Sequence, residues 1–167
     1  MAIVPPLVST KVDQPRERSR RPRLQSWVRG TLVVMALLLV GVFAVAIVLD
    51  PYQDGKVWLA ETHRQLGLPP CTFKRLTGYP CPSCGMTSSF ALAVRGDLWH
   101  SAQANVAGTV LALAGLAFIP WAASSALRGR LVGVTDFESL LVRSVIGFLV
   151  LMFGRWALVL ALAYLYH

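Results

Sequence analysis

The sequence has 167 residues, of which 55% are hydrophobic and only 14% are charged. A soluble domain carries roughly a quarter of charged residues, so the composition excludes an ordinary soluble domain. The formal net charge of +8 raises the possibility of nucleic-acid binding. The basic residues, however, are concentrated beside apolar segments, so we predict that no nucleic acid is bound.

Three long apolar runs organise the chain, at 31–49, 106–126 and 144–165. The first two carry no charge, and the third carries only Arg155. About 20 apolar residues are enough to cross the roughly 30 Å hydrocarbon layer of a bilayer. We therefore predict an all-α integral membrane protein with three transmembrane helices, whose first partner is the lipid bilayer.

The basic residues predict the topology. Seven of the sixteen Lys and Arg residues lie between Lys11 and Arg29, and Arg128, Arg130 and Arg143 lie between the second and third runs. Because basic residues accumulate on the cytoplasmic side, we predict a cytoplasmic N-terminus. Residues 1–28 are rich in Pro, Arg and Ser and predict a disordered basic tail, followed by a membrane domain at 29–167.

The segment after the first run predicts a short helix over residues 54–66. Asp54 is a suitable N-cap, Gly67 a suitable end, and Pro69-Pro70 stop any continuation. The helix can lie on the outer membrane surface with Trp58 at headgroup depth, or it can be an ordinary solvated loop helix. Both alternatives stay open.

All three cysteines lie in one motif loop at 71–87, namely Cys71, Cys81 and Cys84. Thr77-Gly78-Tyr79-Pro80 is turn chemistry and predicts that the chain folds back between Cys71 and Cys81. Three chemistries fit the cysteines.

A disulfide from Cys71 to either Cys81 or Cys84 would close the loop as a structural staple. Alternatively, the three thiolates could be ligands of a zinc ion, with His63 or His100 as the fourth. The third possibility is thiol–disulfide exchange by Cys81 and Cys84, which the positive end of a following helix would favour.

Met86, Phe90 and Val94 recur every four residues after the cysteine pair, which predicts a helix. We expect the hydroxyls of Thr87, Ser88 and Ser89 to satisfy free N–H groups of its first turn.

Arg95-Gly96 ends this helix, and Asp97 is placed to cap the next one. We predict that this short helix enters the membrane from outside, which makes the outer loop partly re-entrant.

Two features of the spans point to packing or function. Gly108, Ala112 and Gly115 form a strip of small residues on the second span, and Gly147 and Gly154 are one heptad apart on the third. They predict either mutual packing of these two spans or a homodimer.

Arg155 stands alone in the third span, about 18 Å of helix rise beyond Arg143 and thus near the bilayer centre. A charge at that depth needs a partner. The candidates are a backbone carbonyl, the Asn105 side chain, Asp97 and a thiolate. The alternative is that the third span starts later and that the Arg155 side chain snorkels to the membrane surface.

The motif resembles a bacterial membrane protein family known as domain of unknown function 2752. The resemblance runs from about Cys71 to Asn105 and rests on the order Cys71-x-Phe, Leu-Thr-Gly, Cys81-Pro-x-Cys84-Gly-Met-Thr and Arg-Gly-Asp. Besides the three cysteines, its motif residues here are Gly78, Pro82, Gly85, Thr87, Gly96, Asp97 and Asn105. It implies a small multi-pass protein of the bacterial inner membrane and no particular activity.

The sequence departs from the family pattern twice. Ser88 stands where the family often has Arg, so a role of that arginine is either absent or taken by Arg95 or Arg155. Val106 stands where the family often has Pro, which predicts that the second span begins without a kink.

The function that we predict is that of an accessory, non-enzymatic membrane protein with a structural or metal-binding cysteine cap. It can form a homo-oligomer or join a larger membrane complex. A membrane thiol oxidoreductase is the alternative. A small transporter component, supported only by Arg155, Asn105 and Gln103, is a third.

Overall fold

The computed structural model describes residues 24–53, 55–132 and 137–165, with the backbone alone at Phe137. Most of this chain is helical, and three helices are long and apolar enough to span a membrane. The predicted all-α membrane fold is therefore confirmed. The helices are α1 (Ser26–Val48), α2 (Thr72–Thr77), α3 (Met86–Ala93), α4 (Leu98–Arg128) and α5 (Phe137–Leu165). Most of the predicted tail lies outside the described residues, and α1 begins at Ser26 within its last three positions.

Helices α1 and α4 pack against each other in opposite directions. At one end, the Arg29 Nε donates to the Ala126 carbonyl at 3.0 Å. Near the other end, Phe43 of α1 lies in a small core with Ala93 and Ala112, and its ring stacks on Phe90 at 5.7 Å between centroids. This core fixes α3 between the two long helices.

The small residues of α4 are used inside the protein. A Cβ on Gly108 would lie 2.1 Å from Ser89 Oγ of α3, and one on Gly115 would lie 3.2 Å from the Phe43 ring of α1. By contrast, a Cβ on Gly147 or Gly154 of α5 would meet no atom within 4 Å. The predicted packing of these glycines between the second and third spans is wrong, because α1 and α3 occupy that face of α4.

Helix α4 is broken at Asn105, where φ is −161° and ψ is 108°. The prediction that the second span begins without a kink is therefore wrong. The Asn105 Oδ1 accepts from the Gly108 N–H at 3.0 Å, which is the geometry of an N-cap in extended backbone. Asn105 thus ends one short helical segment and begins the segment that continues to Arg128.

The predicted helix at 54–66 is wrong over most of its length. Tyr52–Gln53 (β1) pairs in antiparallel fashion with Lys56–Val57 (β2), and a 3₁₀ helix covers only Thr62–Leu66. Glu61 has a left-handed backbone with φ 64°, which a helix through this position cannot contain. Asp54, the predicted N-cap, lies outside the described residues.

Candidate metal centre at the cysteine cluster

The structure brings the three cysteines together. The sulfur atoms of Cys71, Cys81 and Cys84 all lie within 4.8 Å of one another, and each side chain is half-buried. Among the described residues, this is the one group of three or more Cys, His, Asp and Glu side chains close enough to bind a metal ion together. Cys71 comes just before α2, and Gly78 after α2 has φ 77° and turns the chain back toward Cys81.

The turn that carries Cys81 and Cys84 depends on Gly85. The Cys84 N–H donates to the Cys81 carbonyl at 3.0 Å, and Gly85 itself has φ +80°. A Cβ at this position would lie 2.4 Å from the Ala104 carbonyl oxygen and 2.8 Å from that of Leu59. Only glycine therefore lets the turn approach the broken region of α4.

Asn105 fastens the same turn to α4. Its Nδ2 donates to the Cys84 carbonyl at 3.0 Å and to the Pro82 carbonyl at 3.4 Å, and the residue is fully buried. Together with the bond to the Gly108 N–H, one amide satisfies groups on both sides of the helix break. Sequence patterns singled out Asn105 but gave no sign of this connection.

Hydroxyl groups fill the space between α3 and α4. The Ser101 Oγ donates to the Ser89 carbonyl at 2.8 Å, and Ser101 and Thr109 are hydrogen-bonded at 2.7 Å. Ser89 Oγ donates to the Met86 carbonyl at 2.7 Å, and Ser88 is bonded to Thr62 of the 3₁₀ helix. The predicted role of Ser88 and Ser89 as acceptors from free N–H groups is therefore wrong.

A cavity of about 230 Å³ opens in front of the sulfurs, and its wall includes the three cysteines, Thr87, Glu61 and His63. The His63 Nε2 lies 3.3 Å from the Pro69 carbonyl oxygen. If Nε2 carries the proton and donates to this carbonyl, Nδ1 remains free as a metal ligand. His100 is not on this wall; its Nδ1 lies 2.8 Å from Asp97 Oδ2 instead.

The two cysteines of the turn differ in acidity. Burial raises the pKa of Cys81, but hydrogen bonds with Ser83 and Cys71 outweigh it, so the pKa lies below that of an ordinary thiol. For Cys84, burial and the negative charge of Cys81 together raise the pKa. Cys81 is thus the thiol more readily ionised, although a bound cation would deprotonate both.

A second cavity, of about 220 Å³, lies on the other side of Cys81 and Cys84, and its wall includes Lys74, Gln103 and Arg155. The Arg155 Nη2 donates to the Ala104 carbonyl at 2.9 Å, so among the predicted partners the backbone carbonyl is the one found. The neighbouring Trp156 donates its indole N–H to the Pro80 carbonyl at 2.8 Å. These two residues connect α5 to the cysteine end of the molecule.

Asp97 links α4 to β1 at this end. It caps α4 by accepting from the His100 N–H at 3.2 Å, and its Oδ2 accepts from the Tyr52 hydroxyl at 2.7 Å. The bond from Tyr52 is the largest cause that holds the pKa of Asp97 below its usual value, and the bonds from His100 add to it.

Arg95, which follows α3 and precedes Gly96, binds the end of α1. It donates to the Ala46 carbonyl at 3.2 Å and to the Ile47 carbonyl at 2.9 Å. A helix ends with carbonyl oxygens that lack intrahelical donors, and Arg95 supplies donors here. The sequence offered Arg95 as a substitute for a missing family arginine and gave no sign of this capping role.

The fold and the site define a helical multi-pass membrane protein with a three-cysteine cluster beside the broken start of its second long helix. Residues 71–119 match the model of a family described as a protein of unknown function (DUF2752), so the resemblance of the motif is confirmed. The match includes the cysteines, Asn105 and much of α4, but neither His63 nor Arg155. No curated protein and no solved structure matches the chain.

Proposed function

We propose that the chain is an accessory protein of the bacterial inner membrane whose cysteine cluster binds a zinc ion as a structural cap. The observation that carries this proposal is the convergence of three sulfurs within 4.8 Å. Sulfurs around a tetrahedral zinc ion stand about 3.8 Å apart, because each Zn–S bond is about 2.3 Å. The cluster would therefore have to contract by at most about 1 Å at its widest separation.

Three converging sulfurs favour a metal over a disulfide staple. A disulfide joins two cysteines and leaves the third unpaired, whereas a zinc ion can bind all three thiolates. His63 is our candidate for the fourth ligand, since it lies on the same cavity wall and has Nδ1 free when Nε2 donates to Pro69. Its ring lies outside the group of ligand atoms within 4.8 Å of one another, so it would have to turn toward the sulfurs to bind. His100 fits less well, because Asp97 already holds its Nδ1.

The orientation that we propose puts the cluster on the outer side. Arg29 contacts the end of α4 near Arg128, so the basic flanks of α1 and α4 lie together at the end of the bundle opposite the cysteines. Basic flanks favour the cytoplasm. The cysteine end then faces the periplasm, where the short helix α3 enters the bundle from outside.

Thiol–disulfide exchange is the second candidate, and the acidity of the thiols favours it. An exchange pair needs one thiol that ionises readily and attacks, and Cys81 has the lowered pKa while Cys84 has the raised one.

The experiment that separates these functions uses protein purified in detergent without reductant. Thiols are counted before and after denaturation, and metals are measured in the same sample. Three thiols that react only after denaturation, together with about one zinc per chain, would support the metal cap. One reactive thiol without metal would overturn it in favour of a disulfide, whose reduction potential would then separate staple from oxidoreductase.

The fourth ligand is tested with a matched pair of variants. His63→Ala should weaken zinc binding by about 10-fold or more, as loss of one ligand from a four-ligand site requires. His100→Ala is the control, because it removes an imidazole outside the cavity. Equal zinc affinities of His63→Ala and the unaltered protein would remove His63 from the ligand set.

A further inference from the structure

We infer that Arg155 is the counter-charge of the loaded cysteine cluster, so that metal binding and the docking of α5 stabilise each other. This inference rests on the proposed zinc site. It concerns a residue outside the family match, on a helix that otherwise makes few contacts.

Among the described residues, no carboxylate pairs with Arg155 or lines the cavity beside it. Within the described residues, its bond in the structure is the one from Nη2 to the Ala104 carbonyl, and no Asp or Glu lies within salt-bridge distance of it. The other cation on the cavity wall, Lys74, is already paired with Glu61 at 3.3 Å. Arg155 is therefore the unbalanced charge of this cavity.

Cys81 and Cys84 are the groups on the same wall that can balance it. Three thiolates around a divalent cation carry a formal charge of −1, and Arg155 carries +1. A charge in an apolar helix bundle is costly unless an opposite charge lies near it. The zinc-bound cluster supplies this opposite charge. Three protonated thiols would supply none, and the backbone carbonyl of Ala104 would then be the partner of Arg155.

The contacts of α5 connect this charge to its docking. Trp156 donates to the Pro80 carbonyl, one residue before Cys81, and its ring packs on Phe73 with centroids 6.2 Å apart. Arg155 contacts Ala104, which touches Gly85 and precedes Asn105. Metal binding at the cysteines would therefore act on the same short segments that hold α5. If metal binding favours the docking of α5, then docking of α5 favours metal binding by the same free energy.

The test compares zinc affinity, by competition with a chelator, in four full-length proteins: unaltered, Arg155→Gln, Arg155→Lys and Arg143→Gln. Arg155→Gln keeps a donor for the Ala104 carbonyl but removes the charge, and we expect zinc to bind about 10-fold or more weakly. Arg155→Lys restores the charge and should recover most of the affinity. Arg143→Gln removes an exposed charge from the other end of α5 and should change nothing.

Amide hydrogen exchange of α5 supplies a second readout. Zinc should slow exchange in residues 150–165 of the unaltered protein, and it should do so much less in Arg155→Gln. If the unaltered protein binds zinc and Arg155→Gln binds it equally well, the counter-charge is overturned while the metal cap stands. If Arg155→Lys binds zinc as weakly as Arg155→Gln, the shape of the side chain rather than its charge determines the affinity, and the inference is also overturned. Failure of the unaltered protein to bind zinc would overturn the proposed function as well, and the thiol count would show that separately.

Discussion

Helices α4 and α5 have similar length and similar apolar composition but very different surroundings. In its most apolar window, α4 is 33% buried, whereas α5 is 0% buried. The glycines of α4 contact α3 and α1, while those of α5 meet no neighbouring atom. Both helices satisfy the rule for a span, but only α4 is packed along its apolar window.

The difference shows what joins helices in a membrane. Lipid chains are as apolar as leucine, so apolar side chains alone give two helices little reason to associate. Helix α4 is held by close backbone approach at Gly108 and by bonds of Asn105 and Ser101. Helix α5 is held at the cysteine end by the polar groups of Arg155 and Trp156.

The largest difference in stability is expected between the variants Gly85→Ala and Gly154→Ala. The first adds a methyl group 2.4 Å from the Ala104 carbonyl and forces a left-handed backbone on alanine. We expect a loss of about 4 kcal/mol, or about 10 °C in thermal midpoint, together with loss of metal binding. Gly154→Ala should be neutral or stabilising by up to about 1 kcal/mol. A stable, metal-binding Gly85→Ala protein would show that the turn does not sit against α4.

Asn105→Ala should have the next largest effect. It leaves the Cys84 carbonyl and the Gly108 N–H, both in a buried region, without their partner. The expected loss is about 3 kcal/mol, seen as a lower thermal midpoint in detergent. Gln103→Ala, two residues away and exposed, is the control and should change stability little. Equal midpoints for both variants would contradict the fastening role of Asn105.

A smaller effect is expected where α1 meets α4. Gly115→Ala puts a methyl group 3.2 Å from the Phe43 ring, which the ring accommodates only by shifting. We expect a loss of about 1 kcal/mol. Gly147→Ala, on the unpacked helix, should cost nothing. Thermal midpoints measured in the same detergent decide, and a gain in stability for Gly115→Ala would mean that α1 and α4 are further apart.

The smallest effect concerns pH. The pKa of Asp97 is lowered in the folded state, chiefly by the Tyr52 hydroxyl and then by His100. Its contribution to stability is therefore present above the ordinary carboxyl pKa and is lost as pH falls through the lowered one. Asp97→Asn should flatten the decline of the thermal midpoint below about pH 4. The pKa of Glu61 is also lowered, mainly by the hydrogen bond with Lys74, although burial opposes it. The stability that Glu61 contributes is therefore still lost in the same pH range in Asp97→Asn.

The parts of the fold that the sequence predicts are those governed by one dominant rule. The three long helices follow from apolar runs, because a helix satisfies its own backbone groups in lipid. Gly67 ends the 3₁₀ helix and Asp97 caps α4 as expected, since each role needs only its local residue.

The features that the sequence does not predict depend on residues far apart in the chain. Asn105 breaks α4 because its amide reaches a turn 21 residues earlier, and no proline marks the place. Arg95 reaches the carbonyls of α1 about 50 residues before it. Likewise, Gly108 and Gly115 predict that another helix packs closely against α4 at these positions, but they do not predict which helix it is. The segment before Glu61 has side chains that fit a helix, but the left-handed backbone of Glu61 does not.

The order of the contacts along the chain has a consequence for biosynthesis. The carbonyls at the end of α1 leave the ribosome long before Arg95, which binds them, and the carbonyl of Ala104 precedes Arg155 by 51 residues. The last carbonyls of the newly inserted first helix therefore lack their Arg95 donors at first, and the cysteine cluster lacks its contacts with α5 until that helix follows. Docking of α5, the least buried of the three long helices, therefore comes after synthesis of the helices it contacts and depends on two adjacent residues, Arg155 and Trp156.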